Sequence, residues 1–217
     1  AVEFVADDIK VKGIIDTGLN YAFVFPITLA EKMTKENYNK MIPANGFFAK
    51  WPFTSQQRNF LYVFDSVTIG TMKFEKVPVI FADLPEMFSG STALIGKYFL
   101  ENYLTSLDFH NRKVVLEEVS KSQRSIQFSV GMNIVRREDH FEVTGVWQDS
   151  PADEAGFRPG LIISHVNNFT VEELTDSELN DIILNANTKS ISFKYQLEND
   201  CVELMLNKRN LYEGKDI

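Results

Sequence analysis

The chain has one cysteine, Cys201, in 217 residues. No disulfide can form within it, so no disulfide framework holds the fold and the redox compartment stays open. No run approaches the roughly 20 apolar residues of a membrane-spanning helix, so no membrane span is expected. Basic residues are in deficit, with 22 Lys and Arg against 30 Asp and Glu, a net charge of -8. A nucleic-acid or anionic-membrane binder needs a basic field that this chain lacks. Gly-rich phosphate loops, a Gly-x-Ser-x-Gly elbow and a Ser-His-Asp order are also missing. His110, His140 and His165 lie far apart, and no Cys/His/Asp spacing suits zinc or calcium, so neither metal nor cofactor is expected. The chain opens on Ala1 without an initiator Met, which predicts that an upstream segment is removed.

What is present favours strands. There are 18 Phe and 7 Tyr, and 44% of residues are hydrophobic. The length permits one large domain or two of about 100 residues. Apolar stretches at 9–15, 19–25, 59–63, 66–69, 72–74, 77–81 and 92–95 read as strands, with Pro78 marking an edge. Thr28 is a candidate cap for a short helix over 29–33, and Thr34 for a second turn. A helix is expected over 97–103, then a hairpin of 104–109 and 113–116. The first 118 residues thus predict a mainly β unit with short helices. The polar stretch 117–125 is the best boundary, with a cut near Ser122, giving domains 1–121 and 122–217.

Past that cut the style changes. Strands are expected at 126–130, 141–146 and 161–166. Ser150 caps a short helix with Pro151 at its first position and Gly156 as its stop. Thr175 caps a longer helix over 176–184. A hairpin over 191–197 and 202–206 closes around Glu198-Asn199-Asp200.

The chemistry concentrates at Gly13-Ile14-Ile15-Asp16-Thr17-Gly18. A buried strand ends in a carboxylate, which is costly unless its oxygens find donors. The same tripeptide is also an ordinary hairpin turn. Residues 41–58 hold Pro43, Gly46, Phe47, Phe48, Trp51, Pro52 and Phe53. They read either as a mobile hairpin that covers something or as a connecting loop whose aromatics tuck into the core. Asp65, Asp83 and Asp108 lack a following Thr-Gly and read as structural.

Two stretches of the first half resemble the retropepsin-type aspartic protease lobe. One is Ile14-Ile15-Asp16-Thr17-Gly18. The other is Ala93-Leu94-Ile95-Gly96, with Tyr98-Phe99-Leu100, Tyr103 and Leu107-Asp108-Phe109 after it. The second half resembles a PDZ domain. Ser129-Val130-Gly131-Met132 matches the carboxylate-binding loop, and Ser150-Pro151-Ala152 with Ala155-Gly156 matches the helix that follows. Phe157-Arg158-Pro159-Gly160-Leu161-Ile162-Ile163 and Val166-Asn167 continue the match. Ser129 replaces the usual first loop glycine, and Leu161 replaces the usual Asp. Lobe followed by PDZ is similar to bacterial aspartyl proteases of the retropepsin type.

The resemblance implies a retropepsin-like closed β lobe and a PDZ-like β-sandwich with two helices. It implies an aspartic endopeptidase in which Asp16 is catalytic and shares a proton with a second carboxylate. With a single Asp-Thr-Gly, the partner would be Asp16 of a second copy, so self-association through the lobe is expected. Thr17 would brace the pair and Gly18 would keep the backbone close. Gly46, Phe47, Phe48 and Trp51 would form a flap, and Leu94, Ile95 and Gly96 the second protease motif. Ser129, Val130, Gly131 and Met132 would take a peptide C-terminus, with Leu179 and Ile183 lining the groove or packing the core. Protein or peptide substrates and an exported location follow from the same likeness. Leu19 stands where such proteases carry Ser or Ala. Two alternatives remain: an inactive lobe serving with the PDZ-like half as a peptide-binding scaffold, and one half of a larger two-lobed protease.

Overall fold

The computed structural model describes residues 1–213 apart from Thr34, Phe53, Ser55, 89–91, 121–123 and 198–199. The cap at Thr34, the cut at Ser122 and the Glu198-Asn199 turn lie outside the described residues. Strand accounts for 50% of the chain and helix for 16%, so the protein is mainly β, as expected. It divides into two compact units. The first holds Ala1–Met41, Ala49–Gln57 and Tyr62–Ser122, and the second Ile42–Phe48, Arg58–Leu61 and Gln123–Ile217.

In chain order the first strands are β1 (Val2–Ala6), β2 (Ile9–Asp16) and β3 (Phe23–Pro26). Helices α1 (Ile27–Ala30) and α2 (Lys35–Asn39) follow, then β4 (Ile42–Gly46), β5 (Asn59–Ile69), β6 (Met72–Ala82) and β7 (Thr92–Gly96). The first unit ends with α3 (Lys97–Leu100), β8 (Tyr103–Asp108) and β9 (Lys113–Glu118). Its strands run β1-β2-β7-β3-β6-β5, and β5 returns to β1, closing a six-stranded barrel. Closure removes the sheet edges that a strand-rich sequence must otherwise protect. Phe4, Phe23, Phe25, Phe64 and Phe81 fill the interior, each 3% exposed or less. Phe25 touches Phe4, Phe64 and Phe81 at centroid distances of 5.9, 5.2 and 5.6 Å.

Several local expectations change. The stretches at 59–63 and 66–69 are one strand, β5, and those at 72–74 and 77–81 are one strand, β6. The break read into β6 is a kink at Lys76, which has a φ of 50°. Pro78 does not mark an edge strand, but it stands where β6 is not yet paired with β3. Strand β6 lies between β3 and β5, but its register with β3 covers only Ile80–Ala82, so a missing N–H at Pro78 costs that ladder nothing. Thr28 caps no helix: α1 starts at Ile27 directly after Pro26, without a side-chain cap. Helix α3 stops at Leu100, earlier than expected, and β8 begins at Tyr103.

The second unit contains β4, β10 (Phe128–Ser129), β11 (Met132–Arg136), β12 (Phe141–Trp147), α4 (Pro151–Glu154), β13 (Ile162–Val166), α5 (Asp176–Leu184), β14 (Ser190–Leu197), β15 (Asp200–Asn207) and β16 (Arg209–Asn210). Strand β12 is central. It pairs with β11 along one side, and with β13 and then β4 along the other. Both capped helices form as the sequence predicts. The Ser150 hydroxyl accepts from Asp153 N at 3.2 Å, and Thr175 and Glu178 form a reciprocal capping box at the start of α5. No helix among the described residues is long and apolar enough to cross a membrane.

Candidate functional site

Strand β2 delivers Asp16 to the end of the barrel's parallel pair. Its register with β7 sets Ile14 beside Leu94, Ile15 beside Ile95 and Asp16 beside Gly96. Because β7 lies between β2 and β3, the chain from Asp16 to Phe23 must pass over the end of β7. That passage is tied down by backbone bonds. Lys97 N donates to Leu19 O at 2.8 Å, and Gly96 N to Ala22 O at 2.9 Å. A Cβ at Gly96 would lie 2.2 Å from Tyr21 O and 2.7 Å from Leu19 O. Both are backbone atoms, so only glycine fits. The two halves of the expected protease motif therefore meet at one place.

Asp16 is half-buried, while Thr17 and Gly18 are exposed. Gly18 N donates to Asp16 Oδ1 at 3.0 Å. Among the described residues, Asp16 Oδ2 and the Thr17 side chain have no hydrogen-bond partner. Gly18 itself is roomy: an added Cβ would sit 3.4 Å from Asp16 Oδ1, an ordinary contact. Leu19 Cδ2 lies beside Gly96, the residue paired with Asp16 across the β2–β7 ladder.

The aromatic stretch is not simply a free loop. Gly46 ends β4 opposite Gly145 of β12, with a φ of 79° and a would-be Cβ 2.2 Å from Thr144 O. Phe47 N donates to Thr144 O at 2.8 Å, and Phe48 N to Asn59 Oδ1 at 2.9 Å. The Phe48 ring stacks on Trp147, with centroids 3.7 Å apart and planes at 10°. Trp51 belongs to the first unit. Its carbonyl accepts from Thr54 Oγ1 at 3.0 Å and Gln57 Nε2 at 3.2 Å, making a local turn. Gly46, Phe47 and Phe48 thus belong to the second unit and Trp51 to the first. Sequence reasoning missed β4 because Pro43 and Gly46 are poor strand residues.

In the second unit, Gly131 packs against Ser150. Gly131 has a φ of 81°, and a Cβ there would come within 2.1 Å of Ser150 Cβ. The Ser129 hydroxyl accepts from Gly131 N at 3.1 Å and donates to Ile126 O at 3.0 Å. One of the three amides expected to receive a carboxylate is therefore already engaged, by the residue that departs from the family pattern. Met132, Leu179 and Ile183 are 3%, 2% and 4% exposed. Leu179 and Ile183 pack as core, and a ligand side chain would have to displace them.

No family model and no curated protein matches this chain.

Asp108 and His140 have local partners. Asp108 accepts from Asn111 N at 2.9 Å and Asn111 Nδ2 at 2.7 Å, which holds its carboxyl below the usual range. His140 Nδ1 lies 2.6 Å from Asp139 Oδ1. Among the described residues, no group of three or more His, Cys, Asp or Glu could hold a metal ion. Two important residues escaped sequence reasoning. Asn59, 2% exposed, heads an apolar strand where a polar residue needs a reason. Lys208, 6% exposed, donates to Ile182 O at 3.0 Å and Asn185 O at 2.8 Å, closing the C-terminal end of α5.

Proposed function

We propose that the first unit is an aspartic endopeptidase lobe that works as a two-fold pair, and that the second is a PDZ-like peptide-binding unit. One observation carries the protease reading. Asp16 presents a carboxylate with one oxygen fastened by Gly18 N at 3.0 Å and the other without a partner among the described residues. A carboxylate so placed is ready for a second one. Two carboxylates a few Å apart share a proton, because both cannot ionise cheaply. The ionised member takes a proton from water, and the protonated member hydrogen-bonds the scissile carbonyl as charge develops on it. The open side of Gly18 and the exposed Thr17 leave the backbone free to meet a second copy.

Asp16→Asn tests it. Hydrolysis of an unstructured protein substrate is expected to fall by roughly 10²-fold to 10⁴-fold, with the thermal melt unchanged. Turnover equal to that of the unaltered chain would sink the proposal.

The peptide-binding reading of the second unit is narrower than the sequence implied. The amides of Val130 and Met132 remain candidates for a C-terminal carboxylate, while that of Gly131 serves Ser129. An extended chain would add beside β11, as in other strand-addition complexes.

A further inference from the structure

A cavity of about 420 Å³ opens on the first unit between β6, α3 and the open end of the β8–β9 hairpin. Asp16, Thr17 and Gly18 do not line it. Its apolar walls are aromatic, with Phe99 as the hub. The centroid of that ring lies 5.0 Å from Phe23, 5.5 Å from Phe74 and 5.1 Å from Tyr103. Phe23 and Phe99 are buried, whereas Phe74 and Tyr103 are half-buried and keep ring surface open to the cavity.

The charge around these rings is negative. Glu118 lines the cavity and stands opposite Tyr103 in the β8–β9 ladder. Among the described residues it has no hydrogen bond or ion pair. Its charge is felt at the aromatic wall: burial first, and then the Glu118 carboxylate, hold the Tyr103 phenol above its ordinary range. Glu75 adds a second carboxylate, 3.8 Å from Lys73 in an exposed pair that is weak in water. Lys76 is the one cation among the described lining residues, and its Nζ is engaged 2.7 Å away by Asp65 Oδ1. The neutral polar side chains of the wall are also committed. Asn102 Nδ2 donates to Tyr98 O at 3.1 Å and Phe99 O at 3.0 Å, and Ser120 Oγ to Glu101 O at 3.2 Å.

What the cavity offers a ligand is therefore ring surface and an uncompensated carboxylate. Aromatic faces carry negative potential and attract a cation without directed hydrogen bonds. An ammonium ion carrying alkyl groups matches both features, because its alkyl surface leaves water while its charge offsets Glu118. The net charge of -8 favours the approach of such an ion and disfavours an anion. The volume lies near the lower end of the roughly 300–1,000 Å³ of small-molecule pockets, which suits a molecule of the size of choline. We infer that this cavity binds a small organic cation of the quaternary ammonium class, with its charge toward Glu118 and its alkyl groups on Phe74, Phe99 and Tyr103. The site is independent of Asp16 and of the protease reading.

An NMR titration of choline against the full chain, at constant ionic strength, tests this. Saturable binding is expected, with the choline methyl signal moved upfield by the ring currents. Neohexanol, which has carbon in place of the charged nitrogen, should bind at least about fivefold more weakly. Glu118→Gln, at an exposed position, should weaken choline about fivefold or more and leave neohexanol unchanged. Phe74→Leu keeps apolar volume but removes a ring, and should weaken choline by a similar factor of about five. Circular dichroism checks that both variants are folded; should Phe74→Leu misfold, Glu118→Gln decides alone. No saturable choline binding, equal affinity for neohexanol, or choline affinity unmoved by Glu118→Gln overturns the inference. Hydrolysis is not read, so charge-selective choline binding by a chain that cleaves nothing would uphold the cavity while the protease reading failed.

Discussion

Two glycines near Asp16 have different jobs, and the difference can be measured. Gly96 is fixed by backbone: a methyl group there would meet Tyr21 O at 2.2 Å and Leu19 O at 2.7 Å. Neither carbonyl can rotate away as a side chain could. Gly96→Ala is expected to destabilise the protein by roughly 3 kcal/mol, the upper end of ordinary overpacking, read by urea unfolding. Gly18→Ala meets only an ordinary contact and should leave stability within about 0.5 kcal/mol. On the proposed protease reading Gly18 serves what approaches from outside, so Gly18→Ala is expected to lower hydrolysis without a loss of stability.

Lys208 gives a pH signature at the same scale. Burial pulls its ammonium from 10.5 down to about 8, against the help of two helix-end carbonyls. The folded value lies below the unfolded one. Between these two values the unfolded chain therefore binds more protons, and stability rises with pH across that window. Below about 8 the cost is fully present. It amounts to about 3 kcal/mol at most. Lys208→Met should remove this rise, seen as the difference between variant and unaltered chain in urea melts at each pH. Identical slopes would show that Lys208 is not the group that titrates.

At the scale of elements, the sequence was most legible where a local signal and the tertiary demand agreed. Thr175 with Glu178, and Ser150 with Pro151, carry their own start signals, and α5 and α4 begin there. Legibility failed where the deciding partner is distant in sequence. Nothing in Ile42-Pro43-Ala44-Asn45-Gly46 announces a strand. It becomes one because Gly145, Val146 and Trp147 offer a ladder about a hundred residues later. The pairing needs glycine on both sides. Gly46 passes within reach of Thr144 O, and a Cβ on Gly145 would lie 2.5 Å from Phe47 O. The stacked Phe48 and Trp147 fix the register. Phe48 is half-buried, so Phe48→Ala should cost about 2 kcal/mol and speed hydrogen exchange at the Phe47 amide, whose bond to Thr144 O is 2.8 Å. Unchanged protection there would mean that the ladder, not the stack, holds β4.

At the scale of the whole molecule, the units are not two consecutive pieces of chain. A single cut near residue 122 looks natural in sequence because 117–125 is polar. Yet Ile42–Phe48 and Arg58–Leu61 group with Gln123–Ile217. Two of those residues are core, with Ile42 2% and Leu61 0% exposed. The Leu61 carbonyl accepts from the Tyr212 hydroxyl at 2.7 Å, across 151 positions of sequence. A composition shift marks where the chain leaves a unit for the last time. It is blind to a segment lent out and taken back. Fragment 1–121 therefore keeps every barrel strand but strands Ile42, Phe48 and Leu61 without β12, Trp147 and Tyr212. It is expected to melt at least about 10 °C below the whole chain and to aggregate on heating. Supplying fragment 122–217 in trans should raise that melt, because it returns the missing ladder. A fragment 1–121 that melts cooperatively at the temperature of the whole chain would show that the lent segment folds back onto its own unit when β12 is gone.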